Sequence, residues 1–205
     1  MRVISPSFEI FSFTPDLEAL IERAGRVCYK SEDKITPTSS SAFIARLKES
    51  KHASVLEHGA ITVKIVCDRG VSHELVRHRV ASFSQESTRY CGYHKGKFGG
   101  ELTVVRPVFW AEGSAEYFLW LRACEEAERS YLALIGAGAA PQEARSVLPT
   151  SLKTEVIITA NPREWLHIFS LRTSSAAHPQ MREIMCPLQA TFTAKWPAIF
   201  STCSL

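Results

Sequence analysis

Apolar and polar positions alternate weakly from Arg2 to Phe13, which predicts an initial strand. Thr14-Pro15-Asp16 then reads as a helix start with proline in the first turn, and Leu17, Leu20, Ile21, Ala24 and Cys28 follow at helical spacing. Ser39 to Ser50 predicts a short helix carrying Phe43, Ile44 and Leu47. From Ile61 to Cys67 the period switches to two, so Ile61, Val63, Ile65 and Cys67 share one face of a strand. Asp68-Arg69-Gly70 breaks that strand, and Ser72 reads as the cap of a helix running to Arg77, beyond which irregular chain is expected. Leu102–Arg106 predicts a short strand. Ser114 to Ile135 predicts the clearest helix, striped by Tyr117, Trp120, Leu121, Cys124, Ala127, Tyr131 and Leu134 and ended by Gly136 and Gly138. Pro141 opens a short helix containing Arg145, and Leu152–Thr159 alternates again. Asn161-Pro162-Arg163-Glu164 has the cap, proline and acid of a helix N-terminus, and a last helix is expected over Pro179–Phe200 with a kink at Pro187. Helices alternating with few strands place the chain in the α/β or α+β class, and the lack of repeats, low-complexity tracts or a linker makes residues 1–205 one expected domain.

Composition narrows the function classes. Hydrophobic content of 45%, charged content of 22% and a net charge of +3 are ordinary for a globular protein and do not suit a polyanion-coating one. No run approaches the length of a membrane span, and Met1–Thr14 has no secretion-signal pattern. The six cysteines are scattered without a CxxC pair, which fits a reducing cytoplasm better than a disulfide scaffold.

Residues 77–90 carry the chemistry. Three arginines, a histidine, a glutamine and four small hydroxyl residues fall within these fourteen positions. Guanidinium forks suit phosphates and planar ring edges, and hydroxyls and amides add short hydrogen bonds, so the stretch suits a flat anionic ligand such as a nucleotide. Taken alone, Arg77-His78-Arg79 reads equally as a solvated basic patch or a weak nucleic-acid contact. Arg145 lies among small and apolar residues, as either a ligand contact or a buried ion pair. Asn161 opens a helix whose free N–H groups can receive a phosphate. Arg163 and His167 share a helix face, and Arg172 is either a pocket rim or a charge complementing a helix C-terminus. His52 and His58 have poor metal spacing, Glu57-His58 makes no HExxH, and no metal is expected. The chain has neither a Walker A loop nor a GxGxxG fingerprint, so arginines, hydroxyls and helix ends must hold any nucleotide.

Arg77, His78 and Arg79, then seven residues, then Ser87, Arg89 and Tyr90, form a string that resembles the signature of flavin-dependent thymidylate synthases. His52–His58 resembles the family's segment ahead of its first long strand, Ala144–Pro149 its ARxxLP element, and Asn161–Arg172 its NxR…LR helix. These matches follow the family order from about Val27 to Glu183.

The resemblance implies one domain with a central, mostly antiparallel sheet flanked by helices. It also implies a cytoplasmic homotetramer with sites between subunits and no nucleic-acid or membrane partner. The implied reaction converts dUMP to dTMP using FAD, NADPH and 5,10-methylene-tetrahydrofolate. His52, Ser54, Arg77, His78, Arg79, Gln85, Asn161, Arg163 and His167 are implied at the flavin. Glu74, Gln85, Ser87, Arg89, Arg145 and Arg172 are implied at dUMP, with Arg172 stabilising an N3-ionised uracil in place of a cysteine adduct. Ser87 has no identifiable base beside it and is assigned to binding. The chain departs from the family where Ser84-Gln85 replaces a frequent Asn-Glu, which opens the base specificity to a hydroxymethylase or a dCMP-directed enzyme. The Gly- and Lys-rich Cys91–Glu101 linker is expected as a lid.

Overall fold

Pro6 divides the first expected strand, because proline has no N–H to donate to a ladder. In the computed structural model, which describes residues 1–93, 96 and 99–201, the result is β1 (Arg2–Ile4) and β2 (Ser7–Phe13) in two different sheets. β1 pairs in parallel with β5 (Thr103–Val105), matching Arg2 to Thr103 and Ile4 to Val105. β2, β3 (Ile61–Asp68), β6 (Lys153–Ala160) and β4 (Ser82–Gln85) form a four-stranded sheet in the order β2-β3-β6-β4. The fold is mixed α/β, an antiparallel sheet flanked by helices, as expected. Within the Cys91–Glu101 linker, Lys95 and Lys97 lie outside the described residues, as does Cys203.

The chain divides into two compact units, each built from three separate stretches. The first comprises Met1–Ser7, Ile65–Arg77 and Ser84–Val156; the second comprises Phe8–Lys64, His78–Phe83 and Ile157–Leu205.

In the first unit, α3 (Arg69–Leu75) starts earlier than expected. Its cap is Asp68, whose Oδ1 accepts from the Val71 N–H at 2.7 Å, so Asp68-Arg69-Gly70 opens the helix. Ser72 instead lies inside the helix. Ser114 caps α4 (Ala115–Gly136) by accepting from the Tyr117 N–H. Tyr131 on α4 packs with Tyr93, Leu102, Ala144 and Leu152, forming an apolar cluster. The N-terminal ammonium lies 3.2 Å from Glu128 and 3.5 Å from Glu101. Arg145 follows α5 (Pro141–Ala144) as the first residue of a 3-10 turn rather than lying within a helix.

The second unit holds α1 (Leu17–Tyr29), α2 (Ser39–Glu49), α6 (Pro162–Arg172), α7 (Pro179–Lys195) and α8 (Pro197–Phe200). The last expected helix breaks between α7 and α8. It continues through Pro187, whereas Trp196 leaves helical geometry ahead of Pro197, consistent with the bias of pre-proline residues away from helix. The core is aromatic. Phe192 lies 5.1 Å from Trp165, 5.2 Å from Phe169, 5.2 Å from Trp196 and 5.1 Å from Phe200, ring centre to ring centre, in edge-on geometries. Trp165 keeps its indole N–H satisfied by donating to the Ile61 carbonyl at 3.1 Å. Truncating Phe192 to alanine removes the ring that all four neighbours share. Equilibrium urea unfolding of that variant should show a loss of about 3–5 kcal/mol.

Candidate active site

Helix α6 organises the site residues of the second unit. Asn161 caps it, Oδ1 accepting from the Glu164 N–H at 2.8 Å, and Pro162 occupies the first turn. Pro162, Trp165, Leu166, Ile168 and Phe169 are buried. That leaves Arg163, Glu164, His167 and Arg172 to carry polar chemistry from one rigid element. A pocket of about 340 Å³ opens here, lined by Glu57, Val80, Asn161, Arg163, Glu164 and His167. Arg163 donates to Glu57 across it, a half-exposed pair that contributes little to stability.

His78, from the signature, is 5% exposed. Its Nε2 accepts from Arg172 Nε at 3.0 Å, its Nδ1 faces Glu164 Oε1 at 3.4 Å, and its ring meets His167 edge-on at 5.6 Å. Burial, with the Arg172 guanidinium and then His167 adding to it, lowers the His78 pKa to about 4. Burial raises the Glu164 carboxyl, opposed by His167. Ligand-type atoms of His78, Glu164 and His167 lie within 4.8 Å of one another, a grouping the sequence reading did not anticipate. The guanidinium beside His78 opposes a metal cation at that place. His52 lies outside the pocket lining: its Nδ1 is 2.9 Å from the Tyr29 hydroxyl, and the two rings stack. Ser54 is exposed on the 3-10 turn Ala53–Glu57 that supplies Glu57, and Arg79 is exposed next to Val80.

The first unit gathers other predicted residues. The stretch after His78, expected as irregular, includes β4, which ends at Gln85. Gln85 Nε2 donates to Ser72 Oγ at 2.9 Å and Thr154 Oγ1 at 3.2 Å. Ser72 Oγ already donates to the Arg69 carbonyl at 3.0 Å, so it can only accept from position 85. This fixes which way the Gln85 amide points and favours an amide over a carboxylate there. Arg145 Nη1 donates to Thr88 Oγ1 at 3.2 Å, which brings it beside Ser87 and Arg89 from 57 positions away. Ser87 Oγ accepts from the Arg89 N–H, and the Arg89 guanidinium covers the Tyr90 ring at 5.5 Å. Glu86 accepts from Lys153 at 2.8 Å and from the Tyr93 hydroxyl at 3.2 Å. Glu74 is half-buried on α3, and Arg77 is exposed.

Sequence reasoning missed Glu57, Val80 and Glu164 in the pocket and Thr88 and Glu86 outside it. For Glu164 a signal existed: it stands three residues from both Asn161 and His167, hence on their side of the helix.

A model of the thymidylate synthase complementing protein family matches residues 9–198. A flavin-dependent thymidylate synthase of Geobacter sulfurreducens is 34% identical over 199 residues, covering 93% of this chain and 84% of the relative. The chain belongs to the flavin-dependent thymidylate synthase family. Another family member, from Corynebacterium aurimucosum, is 34% identical over 211 residues, covering 94% of this chain and 82% of its own. Among solved structures, the UMP/dUMP methylase PolB of Streptomyces cacaoi, bound with 5-Br dUMP, superposes with a TM-score of 0.81. It is 26% identical, with 98% of this chain and 96% of that one covered.

The His78 environment has a measurable pH signature. Between pH 6.5 and about 4 the unfolded chain takes up a proton at this residue and the folded chain does not. The stability His78 contributes is therefore whole above pH 6.5 and lost as pH falls towards about 4. Side-chain NMR should find His78 titrating near pH 4, and its midpoint should rise in Arg172→Ala. A midpoint at the ordinary histidine value in the native chain would contradict the arrangement.

Proposed function

We propose that this chain converts dUMP to dTMP, with FAD as cofactor, 5,10-methylene-tetrahydrofolate as carbon donor and NADPH as reductant. The observation that carries the reading is the meeting of the signature's His78 with Arg172, 94 positions away, inside a family match spanning residues 9–198. The second unit's pocket fits part of the cofactor. It combines Arg163, Asn161 and His167 with the carboxyl groups of Glu57 and Glu164, and Arg163 is paired with Glu57, so the lining offers both donors and acceptors, which suits a flavin edge better than a bare anion. At about 340 Å³ it accommodates a portion of a dinucleotide, not the whole.

In this reading His52, Ser54, Arg77, His78, Arg79, Gln85, Asn161, Arg163 and His167 serve FAD. Glu74, Gln85, Ser87, Arg89 and Arg145 hold dUMP, the arginines through its phosphate. FAD supplies hydride transfer when bound. Arg172 faces the pyrimidine, where a positive charge in a water-poor site stabilises uracil ionised at N3 and enriches C5 in electrons. We infer a single cytoplasmic catalytic domain that assembles as a homotetramer, with sites completed between subunits. A nucleic-acid module built on Arg77-His78-Arg79 is disfavoured, because burial removes the middle residue from the basic surface.

A second reading, a related enzyme acting on another pyrimidine nucleotide, draws support from Gln85. Its amide orientation is fixed where family members often carry a carboxylate. Product analysis with dUMP and dCMP separates the two.

Purified protein should show an oxidised-flavin spectrum, or gain one on adding FAD, and should release tritium from 5-labelled dUMP. Colourless protein that takes up no FAD would sink the proposal. Arg172→Ala should keep its flavin and lose dTMP formation by about 10²–10³ in kcat. Arg79→Ala should lose flavin on gel filtration, and undiminished occupancy would remove Arg79 from the flavin site.

A further inference from the structure

We propose that His78 is a positioning residue for Arg172: a neutral imidazole, protonated on Nδ1 towards Glu164, whose Nε2 accepts from Arg172 Nε and sets the direction of the guanidinium. The inference rests on the proposed role of Arg172 at the pyrimidine, and it gives His78 a task beyond lining a flavin site.

Three observations converge. Arg172 Nε can only donate, so the nitrogen it meets at 3.0 Å must carry a lone pair, and the proton of a neutral ring then sits on the other nitrogen. That other nitrogen, Nδ1, faces Glu164 Oε1 at 3.4 Å, longer than an ordinary hydrogen bond but on the side where a proton on Nδ1 meets a carboxyl oxygen. All three residues sit on a rigid frame. Glu164 and Arg172 share α6, whose apolar face is locked into the aromatic core, and His78 is itself buried.

The choice of an imidazole has a chemical consequence. A carboxylate in the same position would orient Arg172 but also oppose its charge, which the proposed chemistry uses. A neutral imidazole orients the guanidinium without cancelling that charge. Protonation would turn the acceptor into a donor and set two cations against each other. The groups facing His78 are Arg172, Glu164 and His167, all from α6; burial first, and then Arg172 and His167, hold it neutral. Glu164 therefore acts one step further back, through His78, and neither residue is a catalytic group.

The test has a spectroscopic arm and a kinetic arm. Nitrogen-15 NMR of the native protein at neutral pH should report His78 as the Nδ1–H tautomer, with unprotonated Nε2 and a shifted Arg172 Nε resonance that returns towards the free value in His78→Met. An Nε2–H tautomer overturns the proposal. In the kinetic arm, assayed at saturating FAD and expressed per bound flavin, His78→Met should lose kcat on the order of a hundredfold, the scale of a misplaced reacting group, with a smaller change in KM for dUMP. His78→Gln keeps an acceptor near the Nε2 position and should recover most of that loss. Wild-type kcat in the Met variant, or equal losses in folded Met and Gln variants, would refute positioning. If the Met variant does not fold, the native tautomer and the Gln variant decide. If native protein makes no dTMP, the proposed function fails while the tautomer and the Arg172 resonance still decide whether His78 orients the guanidinium.

Discussion

The docking of α6 by its apolar face is the constraint on which the second unit depends. Trp165 and Phe169 are driven into the aromatic core by the area they remove from water, and the indole N–H bond to Ile61 allows the ring to be buried without an orphaned donor. Once that face is fixed, helical geometry decides where the remaining residues point. The backbone positions of Arg163, Glu164, His167 and Arg172 cannot shift without pulling aromatic rings out of contact. The frame that carries the polar site is therefore fixed for apolar reasons.

Ionisable groups in such a place must be paired or neutral, because desolvation penalises an isolated charge. The chain uses both solutions. His78 stays neutral between a guanidinium and a carboxyl, and burial disposes that carboxyl towards protonation. In the first unit, Lys153 lies between Glu86 and Glu155 at 2.8 and 2.6 Å, and Gln85 is tied to two hydroxyls. The Gln85 arrangement is chemically consistent with itself. Ser72 has one hydrogen and directs it to the backbone, so an amide N–H matches its lone pair better than a carboxylate oxygen would.

The elements were most legible where the governing interactions are local. The alternation of Ile61, Val63, Ile65 and Cys67 matches their burial on one face of β3, and Asn161 caps α6 as its sequence context indicates. Local rules misled where two readings competed. Asp68 and Ser72 can both cap a helix, and only Asp68 sits where its carboxylate reaches the first free N–H groups. Pro187 and Pro197 can both interrupt a helix. The break falls at the second, where Trp196 abandons helical geometry and turns its ring towards Phe192.

Sequence by itself determined the fold class, the order of most elements and the family, because periodicity, caps and a family-specific motif are read over spans of a few residues. Tertiary structure alone decided that His78 is buried rather than part of a basic surface, that it meets Arg172, and that Arg145 joins the Ser87–Arg89 stretch. Those outcomes depend on which faces lose water against each other and on contacts between residues far apart in the chain. Neither quantity is written in any short window of sequence.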